Sequence, residues 1–304
     1  MEGLFLYKRK GNLHMSQYLI TGATGNVGSE VLRQLCATGH KPLAMTRDAK
    51  SAGAKLPAGV TPVEADYNDP TSLDAAMRGM DAVVLISPAH RDMVQHQRAV
   101  LDASKRAGIR DVVKLSGLGA DLQAAIRLPQ HHAQIEAHAN TLGIRLTPVR
   151  PNLFMQVLLG NAASIVAQGK IYAPAADGKI SFTDVGDIAA VIVAILADDT
   201  LKGRAHDISG PQALSYADAA TKIGDAVGYP VMHVDVPEDT ARQAMRDAGM
   251  DHWLVEAFLE LFQIYRAGYG AGIFSANIEN ILKRPATSFD AFAQTCKQAF
   301  VRAA

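Results

Sequence analysis

The stretch that decides the fold is Tyr18-Leu19-Ile20-Thr21-Gly22-Ala23-Thr24-Gly25-Asn26-Val27-Gly28. It has an apolar strand pattern over residues 18–21 and a helical pattern from Asn26 onward, so its glycines lie in a strand-to-helix turn. Gly22 permits the tight turn, Gly25 lets the backbone approach a pyrophosphate, and Gly28 lets helix and strand pack closely. The free N–H groups at the helix start then meet the phosphates. The stretch predicts a dinucleotide-binding turn; the alternative is a structural turn without a ligand.

Outward from this turn, residues 15–151 alternate short apolar runs with helical patterns, as in a series of βαβ units. The runs show little polar alternation, which is typical of parallel strands covered on both faces. The predicted strands are 18–21, 42–46, 60–64, 82–87, 112–116 and 145–149. The pattern predicts an α/β protein with a doubly wound parallel-sheet Rossmann fold and a smaller, mainly helical C-terminal lobe.

Three segments are expected. Residues 1–14 are interpreted as a leader or added extension, because Met15 stands directly before the first strand. Residues 15–151 form the NAD(P)-binding domain, and residues 152–304 form the smaller substrate lobe. Within that lobe, residues 181–197 are expected to pack back on the Rossmann core. Asp184, with Asp187 three residues later, predicts a capped helix start there.

Composition narrows the class of partner. Thirty basic residues balance thirty acidic ones, so the net charge does not attract nucleic acid. No apolar run approaches the roughly twenty residues of a membrane span, which predicts no membrane partner. The two cysteines, Cys36 and Cys296, form neither a disulfide framework nor a metal-binding spacing. We therefore expect a cytoplasmic protein that acts on a small molecule, of unspecified oligomeric state.

The second predicted strand ends at Arg47-Asp48 and indicates which dinucleotide is bound. An arginine here accommodates a 2′-phosphate, whereas an acid hydrogen-bonds the ribose of NAD. Arg47 favours NADP, with Lys50 as a second cation, but NAD stays open because Asp48 follows directly. Asp66 and Tyr67, after the third strand, are candidates for the adenine site; the alternative is that Asp66 only starts a helix.

Several motifs together resemble the NmrA-like branch of atypical short-chain dehydrogenases/reductases, and in particular its bacterial NAD(P)H quinone-reductase-like members. They are Thr21-Gly22-Ala23-Thr24-Gly25, Ala65-Asp66-Tyr67, Leu85-Ile86-Ser87, His132-Ala133-Gln134-Ile135-Glu136 and Arg150-Pro151-Asn152-Leu153-Phe154. The resemblance implies that phosphate contacts come from Gly22, Thr24, Gly25, Asn26 and Val27, and the 2′-phosphate contact from Arg47. It places Ser87, Ser116 and Gly117 along the cofactor toward the nicotinamide.

The chain departs from the wider superfamily at its catalytic pair. Ordinary members use Tyr-x-x-x-Lys, in which the tyrosine protonates a carbonyl oxygen and the lysine lowers its pKa. Here the lysine position falls on His132 and the tyrosine position on Leu128. Carbonyl reduction by that route is therefore not expected.

His132 is the catalytic candidate in place of the missing pair, because imidazole titrates near neutral pH. It is a candidate both for proton donation and for holding the ribose, with Glu136 one turn later to orient it; the alternative is a surface histidine paired with an acid. Ser116 is a second catalytic candidate. Substrate-binding candidates are His90, Asn152, Phe154 and Met155. No metal is expected, since His131 and His138 point away from the face of His132 and Glu136.

Two functions stay open at this stage. The first is an NADPH-dependent oxidoreductase that transfers hydride to a small conjugated acceptor such as a quinone, which does not need the tyrosine. The second is a non-catalytic NADP(H)-binding redox sensor that regulates a protein partner, as regulatory members of the family do. The sequence favours the enzyme by a narrow margin.

Overall fold

The structure, a computed structural model, describes residues 7–9, 12–14, 16–53, 56–270 and 274–302. The strands are β1 (Tyr7–Arg9), β2 (Asn12–His14), β3 (Tyr18–Ile20), β4 (Leu43–Thr46), β5 (Thr61–Glu64), β6 (Ala82–Leu85), β7 (Asp111–Leu115), β8 (Arg145–Pro151), β9 (Lys170–Ala173), β10 (His206–Ile208) and β11 (Met232–Asp235). The predicted leader, residues 1–14, lies largely outside the described residues; within it β1 pairs antiparallel with β2.

The helices follow the strands in the order that the sequence pattern predicts for the first half of the chain. They are α1 (Asn26–Ala37), α2 (Ala49–Gly53), α3 (Pro70–Ala76), α4 (Met93–Arg106), α5 (Arg127–Thr141), α6 (Ala162–Gln168), α7 (Val185–Ala197), α8 (Tyr216–Val227), α9 (Glu238–Asp247), α10 (His252–Arg266), α11 (Asn277–Leu282) and α12 (Phe289–Thr295). None of these described helices is both long and apolar enough to cross a membrane.

A seven-stranded sheet carries the fold, in the order β10-β8-β7-β6-β3-β4-β5. The strands from β3 to β8 pair in parallel, with Ile20 opposite Ala44 on one side and opposite Val84 on the other. All six predicted strands are present, with ends that differ by one or two residues. From β3 the chain adds β4 and β5 on one side, and it then adds β6 on the other side of β3. The carboxyl ends of β3 and β6 are therefore the switch point where such sheets bind ligands.

The central strands of the sheet are buried on both faces, as their apolar runs predict. Leu19, Ile20, Val83, Val84 and Leu85 each have no exposed surface. The central strands are continuous apolar runs for this reason: the helices on both sides remove their side chains from water. The strand β5, at one edge of the sheet, is only partly buried. The Rossmann prediction is confirmed.

The chain divides into two compact units. The first comprises residues 1–123, 129–150 and 188–206, and the second comprises residues 124–128, 151–187 and 207–304. In the second unit β9 pairs in parallel with β11, and a core around Phe182, Phe289 and Phe292 lies among the helices. The division falls at Pro151, and most of α7 belongs with the first unit.

The start of α7 differs in part from its prediction. Asp184 does cap it, because its Oδ1 accepts a 2.8 Å hydrogen bond from the backbone N–H of Gly186. Asp187, however, does not complete a capping box. Its carboxylate accepts from Arg284 Nη2 and from the backbone N–H of Thr287, both at 2.6 Å. Asp187 is only 1% exposed, so its buried charge requires a cationic partner. The backbone N–H of Asp184, its partner in a capping box, would not provide that charge.

Candidate functional site

The glycine turn is built against the neighbouring strand β6. Thr21 Oγ1 donates to the carbonyl oxygen of Ile86 at 2.6 Å and accepts from its N–H at 2.8 Å. Gly22 has φ +58°, and a Cβ atom there would lie 2.8 Å from the same carbonyl oxygen. A side chain on Gly28 would collide with the carbonyl of Gly22. Two of the three glycines are therefore required by the turn itself.

The helix start behind this turn is open to a phosphate. Its N-cap, Gly25, has no side chain to accept from the first-turn N–H groups, and no acidic residue lies in that turn. Thr24, Gly25 and Asn26 are exposed, while Val27 is buried beneath them. Uncapped N–H groups at an exposed helix N-terminus form an anion site. The residues present fit a dinucleotide pyrophosphate.

At the end of β4, Arg47 is exposed. Asp48 does not pair with it among the described ion pairs. Instead its carboxylate accepts from the N–H groups of Lys50 and Ser51, both at 2.9 Å, at the start of α2. These hydrogen bonds from Ser51 and Lys50 lower the pKa of Asp48. The arrangement keeps Asp48 occupied with its own helix and fits a 2′-phosphate beside Arg47.

Tyr67 lies between the glycine turn and α4. Its hydroxyl donates to the carbonyl oxygen of Ile86 at 3.1 Å, and burial raises the pKa of that hydroxyl. Its ring stacks on His96 with centroids 5.1 Å apart, and His96 stacks on His90 at 6.1 Å. Asp66 Oδ1 accepts from the N–H of Asn68 at 2.8 Å. Tyr67 thus borders the predicted cofactor path, and its adenine contact stays a prediction, as does that of Asp66.

Ser87 follows β6 and is held from behind. The side-chain amide of Gln97 donates to Ser87 Oγ at 2.8 Å, and Gln97 itself is 1% exposed. His90, three residues on, accepts from the N–H of Asp92 at 3.2 Å, in addition to its contact with His96. Both loop residues are therefore oriented by α4, and their cofactor and substrate roles stay predictions.

His132 has a partner that the sequence pattern did not indicate. The ammonium group of Lys114, on β7, lies 2.8 Å from His132 Nδ1 and 3.1 Å from the carbonyl oxygen of Leu115. Lys114 has no exposed surface. Burial lowers its pKa to about 7, and burial together with the Lys114 charge lowers the pKa of His132. His132 is therefore a neutral imidazole at pH 7.

The Nε2 edge of His132 faces the backbone that follows β7. A Cβ atom on Gly117 would lie 2.8 Å from His132 Cδ2 and 3.1 Å from Nε2. Only a glycine leaves room for the imidazole ring at this point. The predicted residues His132 and Gly117 are thus brought together, with Lys114 behind them.

Glu136 has a different role from the expected one. Its Oε1 accepts from Ser116 Oγ at 2.6 Å, and both carboxylate oxygens accept from the guanidinium of Arg150. The expectation that Glu136 orients His132 is therefore wrong, and so is the alternative of a surface histidine paired with an acid. Lys114 takes that place because its long side chain reaches the imidazole from the strand. Ser116 is 5% exposed and fixed by Glu136.

The predicted substrate residues of the second unit are mostly committed to its packing. The Asn152 amide donates to Ser181 Oγ at 2.9 Å and to the carbonyl oxygen of Gly270 at 3.1 Å. Met155 is 1% exposed in the core of that unit. These contacts favour structural roles for both. Phe154 is half-buried, and its substrate contact stays a prediction.

Within the described part of the chain, no three His, Cys, Asp or Glu side chains gather in a geometry that holds a metal ion. His138 is instead paired with Asp102 through a 2.7 Å contact from Nε2.

One signal for Lys114 was present in the sequence. The run Val112-Val113-Lys114-Leu115 places a lysine inside an otherwise apolar central strand, where both faces of the sheet are covered. A charged side chain at such a position needs a partner. Its partner is not readable from spacing, because Lys114 and His132 lie on different elements.

The sheet topology and glycine turn are those of a dinucleotide-binding Rossmann protein. The chain belongs to the NmrA-like family, whose profile it matches over residues 15–290. It is 35% identical to the NAD(P)H azoreductase of Xenophilus azovorans over 93% of this chain and 98% of that protein. It is 31% identical to a (4-alkanoyl-5-oxo-2,5-dihydrofuran-3-yl)methyl phosphate reductase of Streptomyces griseus, again over 93% and 98%. The NADPH-dependent quinone oxidoreductase of Escherichia coli has a similar structure, with a TM-score of 0.80 and 25% identity over 91% and 98%.

Proposed function

We propose that the protein uses NADPH to reduce a small conjugated acceptor, such as a quinone, without a Tyr-x-x-x-Lys pair. The broader class, an NAD(P)H-dependent oxidoreductase acting on a small molecule, rests on two relatives. The azoreductase and the furan-derivative reductase are both reductases, and each aligns with nearly the whole chain. The observation that carries the finer proposal is the Lys114–His132 pair, a proton-donating arrangement where the usual tyrosine is missing.

The cofactor contacts are assigned to the residues whose geometry fits them. The pyrophosphate is held by the first-turn N–H groups of α1 with Gly22, Thr24, Gly25, Asn26 and Val27. Arg47 holds the 2′-phosphate, which favours NADP over NAD. Asp66 and Tyr67 border the adenine, and Ser87 and Gly117 follow the cofactor toward the nicotinamide.

NADPH, when bound, supplies the hydride. The chain then has two tasks: to hold the acceptor against the nicotinamide and to deliver one proton to the reduced product. While Lys114 is an ammonium it can only donate to His132 Nδ1, so a neutral ring carries its proton on Nε2. That N–H is the proton donor that the site offers. Ser116 lies at the end of β7, and its hydrogen bond to Glu136 holds that strand end in place.

The alternative sensor function has less support. The sensor hypothesis predicts a missing Tyr-Lys pair, but it does not predict a lysine buried against the histidine. A regulator that only binds NADP(H) has no need for a titratable pair at this place, and a buried amine costs stability. The sensor remains the outcome to test against.

The test is oxidation of NADPH by the purified protein against a panel of quinones, azo dyes and other conjugated acceptors, with His132→Ala beside the wild type. His138→Ala is the matched control, since it lies on the same helix but pairs with Asp102. The proposal expects turnover that is lost in His132→Ala and kept in His138→Ala. Turnover that is kept in His132→Ala would show that His132 is not the proton donor. NADPH binding without turnover on any acceptor would support the sensor.

A further inference from the structure

Lys114 is the buried charge that the fold does not otherwise explain. Its side chain has no exposed surface, and its Nζ contacts the Leu115 carbonyl oxygen and His132 Nδ1. Among the described residues no carboxylate lies within ion-pair distance of Nζ. An amine buried without a carboxylate costs stability relative to an apolar side chain of the same length. Methionine would fill this position without that cost.

The charged groups around the pair are few. Glu136 on α5 raises the pKa of Lys114, while Arg150 on β8 lowers it. Around His132, the Lys114, His131 and Arg150 charges each lower the pKa of the ring. The surroundings therefore keep the imidazole neutral and leave the amine close to the point where it changes charge at neutral pH.

The hydrogen-bond geometry sets the tautomer. A lysine amine in its charged form only donates, so His132 Nδ1 must accept and the ring proton must be on Nε2. Nε2 is the edge that faces Gly117 at the end of β7, and His132 is partly exposed, whereas Lys114 has no exposed surface. Lys114 is thus the inner member of the pair and holds a proton. His132 is the outer member and presents the proton on Nε2.

We propose that Lys114 and His132 form a two-residue proton relay, in which strand β7 supplies the lysine that the helix lacks. This inference rests on the proposed function. His132 breaks its Nε2–H bond to form an O–H bond on the anionic oxygen of the reduced acceptor. At the same time Nδ1 takes a proton from the Lys114 ammonium, so the ring leaves the step neutral in its other tautomer. Lys114 becomes an amine. After product release, water protonates Nε2 of His132 and the Nδ1 proton returns to Lys114, which restores both residues.

The first test does not need turnover. Ring-¹⁵N-labelled histidine in the ligand-free protein reports the tautomer of His132 by long-range ¹H–¹⁵N correlation, with His132→Ala to assign the signal. The relay expects a neutral Nε2–H ring at pH 7. In Lys114→Met it expects the pKa of the ring to rise and the tautomer to become mixed, because the neighbouring positive charge and the donor to Nδ1 are both removed.

Lys114→Gln separates hydrogen bonding from proton supply. Its amide can donate to Nδ1 but cannot give up a proton at neutral pH, so the Nε2–H tautomer is retained while the relay is broken. Lys202→Met is the matched control for loss of a lysine in the same unit, because Lys202 pairs with Asp199. In turnover, both Lys114 variants are expected to lose about 10²-fold in kcat at an unchanged KM for NADPH, and Lys202→Met is expected to match the wild type.

The outcomes separate the two claims. A wild-type His132 with its proton on Nδ1, or a His132 signal unchanged in Lys114→Met, overturns the relay. Full kcat in Lys114→Gln overturns proton supply by the lysine. A wild type that oxidises no NADPH overturns the proposed function and the relay's catalytic step, while the tautomer measurement still decides whether Lys114 sets the state of His132. If Lys114→Met does not fold, the Lys114→Gln variant and the tautomer of wild-type His132 test the relay instead.

Discussion

Ser116 donates a 2.6 Å hydrogen bond to Glu136, the same carboxylate that Arg150 holds with its guanidinium. The side chains of Glu136 and Arg150 are 12% and 23% exposed. This carboxylate therefore links the ends of β7 and β8 to helix α5. Its charge, on the same helix as His132, also raises the pKa of Lys114. The candidate site is stabilised by an ion pair that does not itself touch the imidazole.

Replacing Glu136 with glutamine tests this tie. The substitution keeps the shape but removes the charge that Glu136 places against Arg150, and we expect a loss of about 1–3 kcal/mol in the free energy of unfolding. Urea unfolding measures it. The matched control is Glu30→Gln, whose partner Arg33 is 62% exposed, and there we expect a loss of about 0–1 kcal/mol. Equal losses in the two variants would contradict a special role for the Glu136 pair.

The same Glu136→Gln variant has a predicted effect on pH dependence. Glu136 raises the pKa of Lys114, so its neutralisation should lower that pKa below its value of about 7. If the Lys114 ammonium is the proton source, kcat/KM falls as pH rises through the pKa of the lysine. The falling limb should therefore lie near pH 7 in the wild type and at lower pH in Glu136→Gln. A limb that does not move would exclude Lys114 as the titrating group.

Two glycines that both have a positive φ should respond differently to alanine. Gly22 and Gly39 have φ values of +58° and +84°, so alanine strains both backbones. Only at Gly22 would the added Cβ meet the backbone of Ile86, at 2.8 Å, whereas Gly39 faces open space. We expect Gly39→Ala to cost about 1 kcal/mol of stability and retain NADPH binding. Gly22→Ala should cost more and abolish binding, as followed by NADPH fluorescence; retained binding would contradict the assigned turn.

Arg47 should determine the choice of cofactor. Because an arginine at this strand end pairs with a 2′-phosphate, Arg47→Ala should weaken NADPH binding by about tenfold or more and leave NADH binding nearly unchanged. Isothermal titration with both dinucleotides measures the ratio. Arg78→Ala, which removes another exposed arginine of the same unit, is the control. Equal losses for NADPH and NADH in Arg47→Ala would contradict the assignment.

The buried amine of Lys114 predicts a pH-dependent stability. Its pKa is lowered from 10.5 to about 7 in the folded protein. Between these values the unfolded chain binds more protons than the folded one, so this group's contribution rises with pH, by up to about 1.4 kcal/mol per pH unit. That contribution is lost as pH falls toward 7. Urea unfolding at pH 7 and pH 9 should therefore show a larger gain with pH in the wild type than in Lys114→Met; identical gains would show an unperturbed lysine.

Much of the first unit could be predicted from the sequence because its signals are local. The glycine turn and six apolar runs each depend on neighbouring residues, and parallel strands under two helical layers are apolar throughout. The position of β10 beside β8, and the pairing of β9 with β11, could not be predicted, because such partners are distant in the chain and their strands are short.

The site was predicted less completely, for a similar reason. Ser116 was identified from its place at a strand end, Gly117 from the family resemblance, and His132 from the position of the missing catalytic lysine. The structure brings all three to the end of β7. The partners of these residues were not. Glu136 shares a helix with His132, which suggested a contact, but Arg150 and Ser116 occupy the carboxylate. Side-chain partners across elements depend on packing, which helical spacing alone does not determine.

The most direct test of the central claim is anaerobic turnover with NADPH deuterated at the transferred C4 position and a quinone acceptor. The account predicts one hydroquinone formed for each NADPH consumed, a primary isotope effect on the single-turnover rate, and loss of this rate in His132→Ala. NADPH that binds but is not consumed by any acceptor, with the His132 ring nevertheless in place, would contradict it and identify the protein as a binder of the dinucleotide rather than a reductase.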